Sequence, residues 1–426
     1  MERSLGASEQ LLWHLARARP VNVVLCASIT GPLTVQQLRG ALDFAQRRHA
    51  LLAVRIRTDM EGRPRFVSEG VPPISLRCLS RQDAAHWVQE VEDELTLPFA
   101  PGEGPLLRAT FLQGAEACEL ILTFDHSIGD GMSGAFLVRD LLREAAQPGQ
   151  GQCLPEPAAC EDLLAAGVSL PEERPLATPT TPTGVRPGAL PEGRAPLTGE
   201  EPRRVRLLSW ELAQEDTARL VAASRRERTS VHGALCAAFL LAMATEQGSR
   251  GEAVLKVMSP VNLRDHLVPP GTEAFAACFT RQLTRHRLQP TSRFWEVARD
   301  VKHQLQRDTE GQGRFINLLK MKDFLATAPD VPSLQSFVKD LMGSELTVTN
   351  LGRWGHEEQH GPFRLRRLHL TVSGLAPLIV GVTTVGGRLC LCSRFLESVI
   401  PGARAQRLQQ GARELLRAAL ASHSGA

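Results

Sequence analysis

An unbroken apolar run, Leu120 to Phe124, leads straight into Asp125-His126-Ser127-Ile128-Gly129-Asp130-Gly131 and then into the helical pattern Ala135-Phe136-Leu137-Val138. Strand, tight turn and helix in that order set one ionisable ring, His126, at the end of a rigid element, which is where a catalytic base is held in register. Gly129 and Gly131 are expected to permit the turn, and Ser133 to cap the helix that begins at Ala135. A histidine near its ordinary pKa both takes and returns a proton at neutral pH. A lone histidine at a strand end is more often a satisfied structural group, so the weight of the reading lies in the spacing His-x-x-x-Asp-Gly.

At 426 residues the chain exceeds what one hydrophobic core usually holds, so two domains of about 200 residues each are expected. In the first half a helical pattern runs from about Leu33 to Arg48, with strands at Leu52–Arg57 and Glu119–Phe124 and a helix reaching about Ala146. From Gln147 to Pro202 the composition shifts to Pro, Gly, Thr and Glu, with one short helical hint at Cys160–Leu164. Order resumes at Arg204–Trp210, an alternating strand, followed by helices around Gln214–Ser224 and Val231–Thr245. A strand at Ala253–Met258, a helix around Phe294–Arg307 and a hairpin Leu378–Arg394 turning at Gly386-Gly387 complete the pattern. The expectation is a mixed α/β chain with an N-terminal lobe at 1–175, a Pro-rich linker at 176–203 and a C-terminal lobe at 204–426.

Charge and cysteine content remove several function classes. A net charge of +3 with no basic block interleaved with aromatics argues against a nucleic-acid partner. The nine cysteines, Cys26, Cys78, Cys118, Cys153, Cys160, Cys236, Cys278, Cys390 and Cys392, are scattered and read as reduced, buried thiols. Cys390 and Cys392 share one face of a strand, but no second pair or histidine follows at zinc-site spacing, so no metal is expected. The N-terminus lacks a basic stretch followed by an apolar core, which points to the cytoplasm. The longest apolar run, Ala234 to Ala244, is about half the length that spans a bilayer and reads as a buried helix capped by Thr229 or Ser230, in a soluble protein without a membrane span. With no Gly-x-Ser-x-Gly elbow, no cysteine in a catalytic signature and no tyrosine at all, covalent catalysis through a side-chain nucleophile is disfavoured.

The His126-x-x-x-Asp130-Gly131 segment on a strand followed by a helix resembles the active-site motif of the chloramphenicol acetyltransferase-like superfamily, which includes condensation domains and polyketide-associated acyltransferases of the phthiocerol diacyltransferase type. The family usually carries two histidines; here Asp125 stands at the first and His126 at the second. Three further stretches resemble the family in order. Leu38–Leu42 with Arg47–Arg55 is similar to its opening helix and strand. Ser259-Pro260-Val261-Asn262-Leu263-Arg264, followed by Ala274–Phe279, is similar to its strand-end arginine motif, and Leu346–Arg353 to the Thr-Asn-Leu-Gly stretch before its last strands.

The resemblance implies two acetyltransferase-like lobes forming a V, with a central tunnel and His126 near its middle. It implies an acyltransferase that moves an acyl group from a thioester, acyl-CoA or carrier-protein-bound, to a hydroxyl or amine, with no cofactor besides that donor. Polyketide, lipid or peptide natural-product assembly is the implied setting, an acyl carrier protein an implied partner, and a monomer the expected state. His126 would be the catalytic base, and Asp130 a scaffold carboxylate salt-bridged to Arg264. Gly131 and Asn350 are the oxyanion or substrate-binding candidates. The alternative is a noncatalytic condensation-like module that binds a carrier protein. Arg353, Arg364, Arg366 and Arg367 read either as a solvated strand face or as contacts to coenzyme A phosphates or a carrier's acidic helix. Trp354 reads as tunnel lining or core, and His49, His232, His266, His356 and His369 as surface or core.

Overall fold

Two six-stranded mixed sheets form the frame of a computed structural model that describes residues 1–170, 204–247 and 251–422. The first sheet runs Gln359–His360, Phe363–Val372, Asn22–Thr30, Ala117–Asp125, Leu107–Gln113, Ser75–Ser80. The second runs Phe279–Leu288, Ala253–Asn262, Leu346–Arg353, Leu378–Val385, Arg388–Leu396, Val205–Leu212. Glu2–Ser4, Arg55–Thr58 and Pro64–Val67 make a small third sheet. The fold is mixed α/β and two-lobed, each large sheet carrying helices over its own core.

Local pattern accounts for most elements. Helix Val231–Glu246 is apolar on nearly every face and is correspondingly buried in the second core, with the Ser230 hydroxyl accepting the Gly233 amide as its cap. Among the described residues no single helix is long and apolar enough to cross a membrane. Leu378–Val385 and Arg388–Leu396 pair antiparallel, and Gly386 and Gly387 both take positive φ between them. Two expectations shift: Ala50–Ala53 is a 3₁₀ turn with the strand beginning only at Arg55, and Cys78 and Cys153 are exposed rather than buried. The expected linker at 176–203 lies outside the described residues.

The second lobe is not the whole of 204–426. Phe363–Val372 pairs antiparallel with Asn22–Thr30, and Gln359–His360 extends the same sheet, so these strands belong to the first lobe. Helices Gly313–Ala326 and Val331–Met342 likewise bury Phe315, Leu318, Met321 and Val338 in the first core. An alternating strand satisfies its backbone in any sheet that offers an edge, so sequence order alone does not assign it. Where this strand crosses the second sheet the backbones come very close: a Cβ on Gly381 would overlap the Leu370 carbonyl oxygen, and Thr383 Oγ1 donates to the Leu368 carbonyl. Glycine is required there by space rather than by dihedral angle.

Candidate active site

Strand Ala117–Asp125 delivers His126 to the wall of a cavity of ≈ 260 Å³ between the two lobes. Its walls come from both sides: Leu12, Gly131, Met132 and Leu370 from the first lobe, Met258, Phe279, Thr349, Asn350 and Ile379 from the second. Nδ1 of His126 lies 2.8 Å from the Gly129 carbonyl oxygen. A carbonyl only accepts, so the proton sits on Nδ1, and Nε2 carries the lone pair. The imidazole stacks on Phe279 with centroids 5.1 Å apart and planes 12° from parallel, and the His126 amide is tied to the Val21 carbonyl at 2.9 Å. Burial first, and then the nearby Arg281 charge, push the His126 pKa down to about 4, against the sequence expectation of an ordinary value.

The turn is built differently from the sequence expectation. Neither Gly129 nor Gly131 takes positive φ. They are small because a Cβ at Gly129 would run into the Phe275 ring and one at Gly131 into Leu351 and Leu370. The helix begins at Gly131, and its cap is Asp130, whose Oδ1 accepts the Ser133 amide at 2.9 Å. Ser133 instead places its hydroxyl 2.8 Å from the Ala276 carbonyl, which it donates to, and accepts from Arg264 Nη2 at 2.9 Å. A capping carboxylate beats a hydroxyl at this position because it also meets the charge across the lobes.

That charge is Arg264. Its Nη1 donates to Asp130 Oδ2 at 2.7 Å, its Nη2 donates to the Ala276 carbonyl at 2.9 Å, and the Cys278 amide adds a third donor to Asp130 at 3.0 Å. Both side chains are buried, 3% exposed for Arg264 and 8% for Asp130. Burial by itself would raise the Asp130 pKa, but the Arg264 guanidinium and the Ser133 and Cys278 amides outweigh it and hold the carboxylate below its usual range. Asp125 is buried beneath the turn, where burial raises its pKa although Ser127 donates to it through its amide at 2.9 Å and its hydroxyl at 2.5 Å. It braces the turn from behind.

Gly131 and Asn350 both border the cavity, on opposite lobes. The Gly131 amide opens the helix, among the N–H groups that have no partner within it. The Asn350 carboxamide oxygen accepts the Gly352 amide at 2.7 Å, which turns its NH₂ into the available donor; the strand register slips just after it, between Asn350 and Arg353. Trp354 does not border the cavity, and its indole donates to the Glu357 carbonyl at 3.2 Å. Arg364 and Arg367 form ion pairs with Glu358 and Glu211 on an exposed strand face, away from the cavity. His49 contacts Asp140, His232 contacts Ser259 and His369 stacks on Trp87, all outside the cavity wall. Two site neighbours carry no motif signature, Arg281 and its platform Phe279. Their spacing of two in an alternating strand puts them on one face, but only the tertiary structure turns that face to His126.

Residues 201–358 match the model of the family described as phthiocerol/phthiodiolone dimycocerosyl transferase C-terminus. A stretch of 163 residues, 35% of this chain, is 34% identical to phosphinothricin tripeptide synthetase PhsC of Streptomyces viridochromogenes, but the match spans only 15% of that protein. Polyketide synthase associated protein 5 from Mycobacterium tuberculosis superposes with a TM-score of 0.70 at 17% identity, covering 99% of each chain. The first condensation domain of the calcium-dependent antibiotic synthetase, solved with a substrate analogue, gives 0.70 at 19% identity over 99% of this chain and 97% of that one. The chain thus has the two-lobed chloramphenicol acetyltransferase-like fold shared by condensation domains and polyketide-associated acyltransferases, the superfamily its His126–Gly131 and Ser259–Arg264 segments resemble.

Proposed function

We propose that the protein is an acyltransferase that moves an acyl group from a thioester, borne by coenzyme A or a carrier protein, to a hydroxyl or amine, with His126 as general base. The observation that carries this reading is the fixed tautomer of His126, whose Nε2 lone pair is left for the cavity by the Nδ1–Gly129 hydrogen bond. Nε2 takes the proton of the acceptor as its oxygen or nitrogen attacks the thioester carbonyl carbon. The tetrahedral oxyanion is stabilised by the Gly131 amide and the Asn350 NH₂. The C–S bond then breaks, and Nε2 returns the proton to the departing thiolate. Matches to a dimycocerosyl transferase family and to a peptide synthetase support acyl transfer in polyketide, lipid or peptide assembly. A carrier-binding module without catalysis is the competing reading, and the intact base and its Asp130–Arg264 brace favour catalysis over it.

The cavity wall supports direct transfer, with both substrates bound together. Among the described residues none of the nine cysteines borders it, and the one serine that does, Ser373, donates its hydroxyl to the Leu95 carbonyl at 2.6 Å. Enzyme incubated with acyl thioester alone is therefore expected to show no acyl adduct in its intact mass, and steady-state kinetics are expected to be sequential. Parallel double-reciprocal lines with a stable adduct would demand a nucleophile. Thioester consumption that depends on neither alcohol, amine nor His126, together with a gel shift by a carrier protein, would leave the binding module.

The pH profile tests the same base. A His126 pKa lowered to about 4 keeps Nε2 unprotonated throughout the neutral range. Since kcat/KM reports the free enzyme, it is expected to stay level from pH 8 down to about 5 and to fall only as pH approaches about 4. An acid limb centred near the ordinary histidine value of about 6.5 would show that the ring is solvated in the working enzyme.

A further inference from the structure

We propose that Arg281 is the anchor for a carboxylate on the substrate, so that one of the two reactants is an acid whose charged end sits beside the reacting centre. This rests on the acyltransferase reading for which reactant it is, but not for the binding itself. Arg281 borders the same cavity as His126 and is only 3% exposed. Its guanidinium lies over the Phe279 ring at 4.5 Å, the ring on which His126 stacks. Among the described residues no carboxylate, carbonyl or hydroxyl accepts from it, and Nη2 is enclosed with no hydrogen-bond partner. Asp130 is the sole carboxylate that the described residues place on the cavity wall, and Arg264 already holds it.

Two other well-buried guanidinium groups near this site have carboxylate counter-ions: Arg264 has Asp130, and Arg139 has Asp140 and Glu273. A buried cation without a counter-ion is costly, and burial alone presses the Arg281 pKa down to about 10, which still leaves it charged at neutral pH. A buried guanidinium on the wall of an open cavity, with no counter-ion among the described residues, fits a carboxylate by charge. The rest of the wall is largely apolar, with Leu12, Met258, Leu370 and Ile379, and suits a hydrocarbon body. The phosphates of a pantetheine donor do not fit this role. They lie at the far end of the arm from the thioester, while Arg281 and His126 share one ring.

The first test needs no turnover: titration calorimetry of the full chain with octanoate, and with octanamide as its uncharged match, on wild type, Arg281→Gln and Arg281→Lys. Octanoate is expected to bind wild type about 10- to 100-fold more tightly than it binds Arg281→Gln, with partial recovery in Arg281→Lys, while octanamide is indifferent to all three. Because no described residue partners the guanidinium, Arg281→Met is expected to unfold at the same or higher denaturant concentration than wild type. Octanoate that does not bind wild type, or binds all variants alike, overturns the proposal. So does a lower unfolding midpoint for Arg281→Met, which would mean that Arg281 already has a partner. Transfer assays then assign the acid: in Arg281→Gln, KM rises for a dicarboxylic acyl thioester if the acyl group bears it, or for an amino or hydroxy acid but not its amide if the acceptor does. A loss in kcat shared by every substrate, charged or not, would make Arg281 an oxyanion donor and overturn the carboxylate assignment. Absence of any transfer would remove the acyltransferase reading and leave the binding and unfolding results to decide this one.

Discussion

His126→Ala is expected to fold normally and to lose about 10²–10⁴-fold in the rate of acyl transfer, with donor binding little changed. The fold should be indifferent because the ring makes one hydrogen bond, to the Gly129 carbonyl, and one stacking contact, to Phe279, at the edge of a cavity rather than in a filled core. The rate should not be, because the described residues offer no second base on the cavity wall: the other titratable groups they place there are Asp130, held by Arg264, and two arginines, Arg19 and Arg281. Rates of substrate-saturated variant and wild type, measured beside their unfolding curves, separate the two effects. Turnover within a few-fold of wild type would end the general-base mechanism.

The second large effect falls on stability. Asp130 and Arg264 are 134 residues apart in sequence and meet at 2.7 Å where the turn of the first lobe touches the second. Removing either leaves the other charged and buried, at a cost of about 3–5 kcal/mol, and Asp130→Ala also strips the cap from helix Gly131–Ala146, worth about 1 kcal/mol more. Arg264→Ala and Asp130→Ala are therefore expected to lower the denaturant midpoint steeply, and the double variant to lose less than the sum of the two. Strict additivity would mean the pair does not interact in solution. Asp130→Asn offers a finer cut, because the amide oxygen can still accept from the Ser133 N–H while the charge opposite Arg264 is gone. Loss of activity in these variants should track loss of folded protein, whereas in His126→Ala it should not.

What the sequence determined by itself is what short stretches decide. The run into His126, the hairpin at Gly386-Gly387 and the apolar helix Val231–Glu246 were legible because hydrophobic period, turn glycines and caps act over a few residues. The spacing His126-x-x-x-Asp130-Gly131 singled out the residue proposed as base, and resemblance to a family named Arg264 as the partner of Asp130. Tertiary structure decided the rest. It placed Phe363–Val372 beside Asn22–Thr30, a choice between two sheets that an alternating strand leaves open. It made the glycines of the turn a matter of clearance from Phe275, Leu351 and Leu370 rather than of φ, and gave the helix cap to Asp130 instead of Ser133. It chose the proton position on His126 through one carbonyl, and lowered the pKa of the ring by burying it near Arg281. Arg281 itself reads in sequence as one more arginine of a polar strand, since alternation says which residues share a face but not whether that face meets water or a cavity. Burial and counter-ions are properties of elements brought together from distant parts of the chain, and the energies that make a lone buried cation significant exist only once they have met.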